Sequence, residues 1–312
     1  MLLKNVSRRI ISICALSSVA ATATFSLQAK SITVPNASFE LPLTVFADPR
    51  VDSWQETPKP AWYDETGGYT WDQLVGVFLN SSPTNADHID NIDGSQALYL
   101  FAVPQAGVFQ DYDTVDWAEI IPTHEFNATF EAGKSYKLTA GFIGGGGGMT
   151  NGVSVEMSLY YRDASSNKVT VVATNIIHSN TVFTNTTHFI DIQLALPLVT
   201  ANHAWTGKKI GIQFLSTVDP ALSGGYWDID NVRLTAIREP VLRNPVFTNG
   251  QFQATLLSEP GLRFDMLRTT NIALASTNWL TIATVTNSTG TTVFTDSNAG
   301  ASLNFYRARQ LP

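Results

Sequence analysis

The residues best suited to chemistry are acidic and sit in one strand-like run: Tyr226, Trp227, Asp228, Ile229, Asp230, Asn231, Val232, Arg233 and Leu234. Side chains alternate along a strand, so Val232 and Leu234 entering a core put Asp228 and Asp230 on that same side. Two carboxylates about 7 Å apart and aimed inward would repel each other and lose hydration, which is tolerated only with a partner or a cation. Arg233 falls on the opposite face. A hard cation held by oxygens, most economically calcium, satisfies this pattern. The alternative is a strand that starts above the core and leaves both acids in water.

Aromatic residues crowd the stretch from 54 to 71. Trp54, Trp62, Tyr63, Tyr69 and Trp71 lie among Pro58, Pro60, Gly67 and Gly68. Such a loop can offer flat faces to a sugar ring or a small aromatic ligand, with Asp64, Glu65 and Asp72 as hydrogen-bond acceptors. The competing expectation is that these rings cap the end of a core.

Other motifs are weaker. Residues 87–94 fail as a calcium-binding helix–loop–helix, because phasing on Gly94 puts Ile89 and Leu100 where oxygens are required. Asp111, Asp113, Asp116 and Glu119 read as a solvated loop before they read as a second cation site. The glycines from 144 to 148 read as a loop tip, with no helix or Lys-Ser/Thr after them to cradle phosphate. The five histidines lack zinc spacing, and no Gly-x-Ser-x-Gly elbow is present. Nothing in the sequence selects a glycosidase-type carboxylate pair.

The elements that must position these residues are strands. The chain has 312 residues, 44% hydrophobic and 14% charged, with net charge −7, which excludes a disordered polyelectrolyte and a basic nucleic-acid binder. Period-2 runs at 32–34, 96–101, 106–110, 126–130, 135–142, 152–161, 169–174, 187–194, 209–215 and 226–235 predict antiparallel sheets with one wet and one dry face. Their number predicts a sandwich. Residues 237–245, with Pro240 and Pro245, read as a linker, and residues 246–312 as a small second β-sandwich of five short strands. Residues 1–29 read as an export signal, positive at Lys4, Arg8 and Arg9 and then uncharged. It contains Cys14, the only cysteine, so the expected location is periplasm, cell surface or medium. No apolar run after it reaches the roughly 18–20 residues of a membrane span.

The opening run Ile32-Thr33-Val34-Pro35-Asn36-Ala37-Ser38-Phe39-Glu40-Leu41-Pro42, taken with the closing Asp230-Asn231-Val232-Arg233-Leu234-Thr235, resembles the first and last strands of galactose-binding-like jelly rolls. Carbohydrate-binding modules share this pattern, and the Stig cyclases of hapalindole biosynthesis are similar in wording. The resemblance covers residues 32–236, within an expected jelly-roll domain of residues 30–236, and is carried by the two ends. It implies an all-β antiparallel jelly roll in which Glu40 and Asp230 approach each other at a structural calcium, with Asp228 beside them. It implies either a non-catalytic binder, foremost of glycans, or a cyclase or isomerase with Asp230 as general acid. A purely structural surface component is the third expectation. The C-terminal part, with Trp279 as a core anchor, resembles small β-sandwiches of secreted planctomycete and verrucomicrobial proteins.

Overall fold

The computed structural model describes residues 30–66, 68–115, 121–300 and 303–311. The expected export signal, with Cys14, and the acidic residues Asp116 and Glu119 lie outside them, as does Gly67.

The larger part is a sandwich. Its strands are β1 (Lys30–Ile32), β2 (Ala47–Asp48), β3 (Gln55–Glu56), β4 (Val75–Leu79), β5 (Gln96–Phe101) and β6 (Gly107–Gln110). They continue with β7 (Lys134–Gly146), β8 (Ser154–Arg162), β9 (Lys168–Ile177), β10 (Ile190–Leu196), β11 (Gly211–Ser216) and β12 (Tyr226–Arg238). One sheet has seven strands in the order β10-β7-β12-β5-β4-β2, with β1 also on β12, and the other has five, β3-β6-β11-β8-β9. Every pairing between these strands is antiparallel. Alternation builds the core between the sheets: Leu98, Leu100, Leu138, Trp227 and Ile229 from one meet Val155, Met157, Ile212 and Phe214 from the other. These side chains lose essentially all contact with water, the main favourable contribution to folding.

Residues 126–130, read as a strand, contribute only an isolated bridge between Thr129 and Lys209. Phe126 and Phe130 are nonetheless core residues, so burial produced the apolar pattern without a strand. The glycine run is also not a free tip. Gly144, Gly145 and Gly146 extend β7, and a Cβ on Gly146 would overlap the Tyr226 ring.

The second part begins almost without a break. β12 runs to Arg238, and β13 (Val241–Thr248) starts three residues later, so most of the segment expected to be a linker is strand. Pro240 lies in the gap, and Pro245 falls at the register shift between Arg243 and Val246, where a missing amide does no harm. β14 (Gln251–Leu257), β15 (Leu262–Thr269), β16 (Leu280–Asn287), β17 (Thr291–Asp296) and β18 (Phe305–Gln310) complete two three-stranded sheets, β13-β14-β17 and β16-β15-β18. Their own core holds Leu256, Leu262, Phe264, Met266 and Phe294. Trp279, expected to anchor it, stays outside this cluster with its indole N–H on the Leu274 carbonyl at 2.9 Å.

Candidate functional site

The closing strand β12 carries the site, and a single bulge decides which way its acids point. Asp230 pairs with Gly141 and Arg233 with Thr139, so Asn231 and Val232 together face one residue of β7. Asn231 takes φ +53°, the left-handed conformation that Asn tolerates better than most residues. Before the bulge Trp227 and Ile229 point into the core; after it Val232, Leu234 and Ala236 do. Asp228 and Asp230 therefore lie on the outer face of the seven-stranded sheet. The expectation that they share a side with Val232 assumed unbroken alternation, and the extra residue corrects it.

That outer face is itself covered. Loop residues Ile89 and Phe189 close with Ala97 and Ile143 into a small apolar cluster. Asn80 clamps the Ile89 backbone in both directions, at 2.9 and 3.0 Å, and Asn91 does the same for Phe189 at 3.0 and 2.8 Å. Both aspartates are consequently buried, although neither enters the main core.

Asp230 is fully partnered. Its Oδ2 accepts the Asp93 amide at 2.7 Å and its Oδ1 the Asn231 amide at 2.6 Å. Burial pushes its carboxyl up to about 7; the two amides pull it down, while the charges of Asp93 and Glu40 push it further up. Glu40 accepts the Ser95 amide and the Gln96 amide, both at 2.8 Å, and the Ser95 hydroxyl at 2.9 Å. Ser38 donates to Asp93 at 2.6 Å. Gly94, at φ +97°, lets the loop turn there, since a Cβ would collide with the Glu40 carboxylate. The opening segment thus lies beside the closing strand, with β1 paired to β12 and the Val232 amide on the Ala37 carbonyl at 2.9 Å.

The structure brings Glu40 and Asp230 into one cluster with Asp93, but Asp228 stands apart from it. As placed, these carboxylates close on amides and hydroxyls, and no three His, Cys, Asp or Glu side chains among the described residues are grouped to hold a metal ion. As placed, the donor set forms a hydrogen-bonded junction between loop and strand.

Asp228 is the contrary case. It is 8% exposed, and its Oδ1 is buried without a hydrogen-bond partner. Burial alone pushes its carboxyl up to about 8. Its cross-strand neighbours are Tyr99 on β5 and Ile143 on β7. Next to it the rings form a continuous row: Tyr99 to Phe101 at 5.9 Å, Phe101 to Tyr226 at 5.9 Å and Phe101 to Tyr69 at 5.1 Å between centroids. Burial raises the Tyr99 hydroxyl to about 12, with the charges of Asp48 and Glu56 and the Tyr69 hydroxyl adding to it.

The aromatic loop divides between core and surface. Trp54 and Trp71, each 3% exposed, are core residues, with their indole N–H groups on the carbonyls of Asn36 and Thr57. They are not available to a ligand, because each buries a large apolar ring and satisfies its one donor internally. Tyr63 packs edge-on against Trp71 and is half-buried. Trp62 and Tyr69 remain exposed, at 52% and 56%. Tyr99, Phe101 and Tyr226 were not among the residues expected to contact a ligand. Their signal was present: Tyr99 and Phe101 alternate with Leu98 and Leu100, as Tyr226 and Asp228 alternate with Trp227 and Ile229. Asp111 belongs to no cation site either, since it pairs with Arg162 at 2.9 Å and accepts the Tyr160 hydroxyl.

The larger part is an antiparallel β-sandwich of a seven-stranded and a five-stranded sheet. No family model and no curated protein matches the chain. Among solved structures it is similar to a cyclase from Fischerella sp. TAU, with 21% identity over 68% of this chain and 100% of that one, at a TM-score of 0.47. It is also similar to the CBM22-1 xylan-binding domain from Paenibacillus barcinonensis Xyn10C, with 9% identity over 60% of this chain and 87% of that one, at a TM-score of 0.32.

Proposed function

We propose that the protein is a binding protein whose ligand lies on the outer face of the seven-stranded sheet, stacked on Tyr69, Phe101 and Tyr226 with a polar group directed at Asp228. One observation carries this reading: a buried carboxyl oxygen with no partner stands beside a row of rings. A polar atom left unpaired in the interior costs about 1–3 kcal/mol, and a ligand that meets it recovers that energy while the rings supply contact area. Flat faces of this kind suit both a sugar ring and a small aromatic molecule. An exported location, inferred from residues 1–29, agrees with a glycan as the first class to test.

The experiment is a titration of the full chain, followed by tryptophan fluorescence and heteronuclear NMR, against soluble oligosaccharides and a panel of small aromatics. At least one class binds, and Phe101→Ala weakens it about tenfold or more while leaving the circular dichroism unchanged. Binding that is indifferent to Phe101→Ala and Asp228→Asn overturns the site.

A second reading, acid catalysis on the bound ligand, moves from Asp230 to Asp228. Asp230 has both oxygens committed to amides, whereas burial holds Asp228 protonated near neutral pH with an oxygen free to address a substrate. Turnover of any bound ligand that survives Asp230→Asn and is lost in Asp228→Asn supports it. The reverse result removes it.

A further inference from the structure

One amine stands on the opposite sheet, away from the ring row and the acidic junction. Lys168 opens the edge strand β9 and pairs in register with Arg162 of β8. Phe109 and Tyr160 alternate with the core residues Val108 and Leu159, so their rings lie on the outer side of the five-stranded sheet. Tyr160 lies flat across β11 because Gly211 faces it, where a Cβ would overlap the ring. The Lys168 nitrogen sits above these rings, 3.1 Å from the Phe109 centroid and 5.2 Å from that of Tyr160. Both rings are buried, while Lys168 itself stays partly exposed.

An ammonium has three hydrogens to place. Among the described residues this one finds a single acceptor, Gln213 Oε1 at 3.3 Å. Asp111, the carboxylate whose charge reaches it, is committed elsewhere, accepting the Tyr160 hydroxyl and pairing with Arg162 at 2.9 Å. Asp113 also leans on Arg162, at 4.0 Å. The Arg162 guanidinium stands 5.6 Å from the same Phe109 centroid, so a like charge faces the amine. The Phe109 face favours a cation, but it supplies no acceptor for the remaining N–H groups and leaves the Arg162 charge in place. Burial and then Arg162 bring the Lys168 ammonium down to about 7, against the opposite pull of Asp111. Lys59 and Lys134 show the contrast, each paired with a glutamate at 2.9 Å.

We propose that Lys168 is a covalent site for small aldehydes, which it holds as an imine on the outer side of the five-stranded sheet. A desolvated lysine beside another cation is an activated nucleophile. The nitrogen lone pair attacks the carbonyl carbon and forms the N–C bond. The C–O bond then breaks, and the oxygen leaves as water with the two hydrogens the amine gives up. No oxidant or reductant is consumed, and hydrolysis reverses the step. Phe109 and Tyr160 border the nitrogen, so an aldehyde with a flat apolar body suits the site. The site is independent of the ring face of the seven-stranded sheet.

The test treats the full chain with benzaldehyde and sodium cyanoborohydride, which reduces each imine to a stable secondary amine, and locates the adducts by peptide mass. At pH 7 Lys168 is expected to label about tenfold or more faster than any other lysine. Between pH 7 and 9.5 the other lysines should accelerate steeply, while Lys168 gains about twofold. Denaturing urea should abolish the preference, and Lys168→Arg should remove the first adduct from the intact mass. Labelling of Lys168 at pH 7 no faster than of Lys59 and Lys137, or none at all, overturns the proposal. A preference that survives urea overturns it as well, because the fold would not be its source. The comparison between lysines runs within one unmodified chain, so a misfolded variant does not obscure it.

Discussion

Asp228 and Asp230 are two residues apart on one strand, face the same side and are both buried, yet they do opposite things. Asp230 spends each oxygen on a backbone amide and ties the 93–95 loop to the closing strand. Asp228 leaves its buried Oδ1 without a partner, and a ring, Tyr99, stands across the strand from it. A buried carboxyl surrounded by amide donors behaves as part of the frame. One surrounded by π-faces is unfinished, and completing it is work left to a ligand.

The largest effect that would break this contrast is on stability. Asp230→Ala strands two amides and should cost about 2–4 kcal/mol by urea denaturation. Asp228→Asn should cost far less, and equal losses would erase the distinction. The next effect lies in the pH dependence. The folded-state pKa of Asp228, about 8, stands above the ordinary carboxylate value, so the folded chain holds a proton that the unfolded chain releases. Stability therefore falls as pH rises from about 4 to 8 and levels off above that. Asp228→Asn should flatten this slope, so that its stability at pH 8.5 approaches its stability at pH 4.5, as read from denaturation midpoints. A parallel slope in the variant would place the buried charge elsewhere. A smaller effect sharpens the bulge: Asn231→Ala, which must hold φ +53°, should lose about 1 kcal/mol, and Asn231→Gly much less. The smallest concerns metal. Because the Glu40, Asp93 and Asp230 carboxylates close on protein donors, thermal melts with calcium and with chelator should superimpose. A calcium-dependent rise would show that these side chains turn toward an ion.

The sandwich was legible because strands with one dry face write a period of two into the chain, as Lys137 to Phe142 and Val153 to Tyr160 do. The pairing of the opening and closing segments was legible only through the resemblance of Ile32–Pro42 and Asp230–Thr235 to the end strands of jelly rolls, and β1 does pair with β12. The orientation of the acids was not, since nothing at Asn231 distinguishes a bulged asparagine from an ordinary strand residue. The short strand β4 was missed because Gly76 interrupts its apolar run; it is glycine because a Cβ would overlap the Asp48 carbonyl and the Pro49 backbone as well as the Tyr99 hydroxyl. The aromatic loop misled in another way. A tryptophan in a Pro- and Gly-rich stretch looks the same whether it plugs a core, as Trp54 does, or meets solvent, as Trp62 does. Only the destination of the indole N–H separates them.

The extra residue at 231 has one more consequence. Remove it, and Ile229, Asp230, Val232, Arg233 and Leu234 read inward, outward, inward, outward, inward, which is how they already lie. A one-codon deletion here would keep every remaining side chain on its present face, straightening the local bend and removing the Asn231 amide that Asp230 accepts, whereas a one-codon insertion would turn half the strand inside out. The closing segment is thus tolerant of shortening and intolerant of lengthening, an asymmetry that related chains and deletion libraries should display.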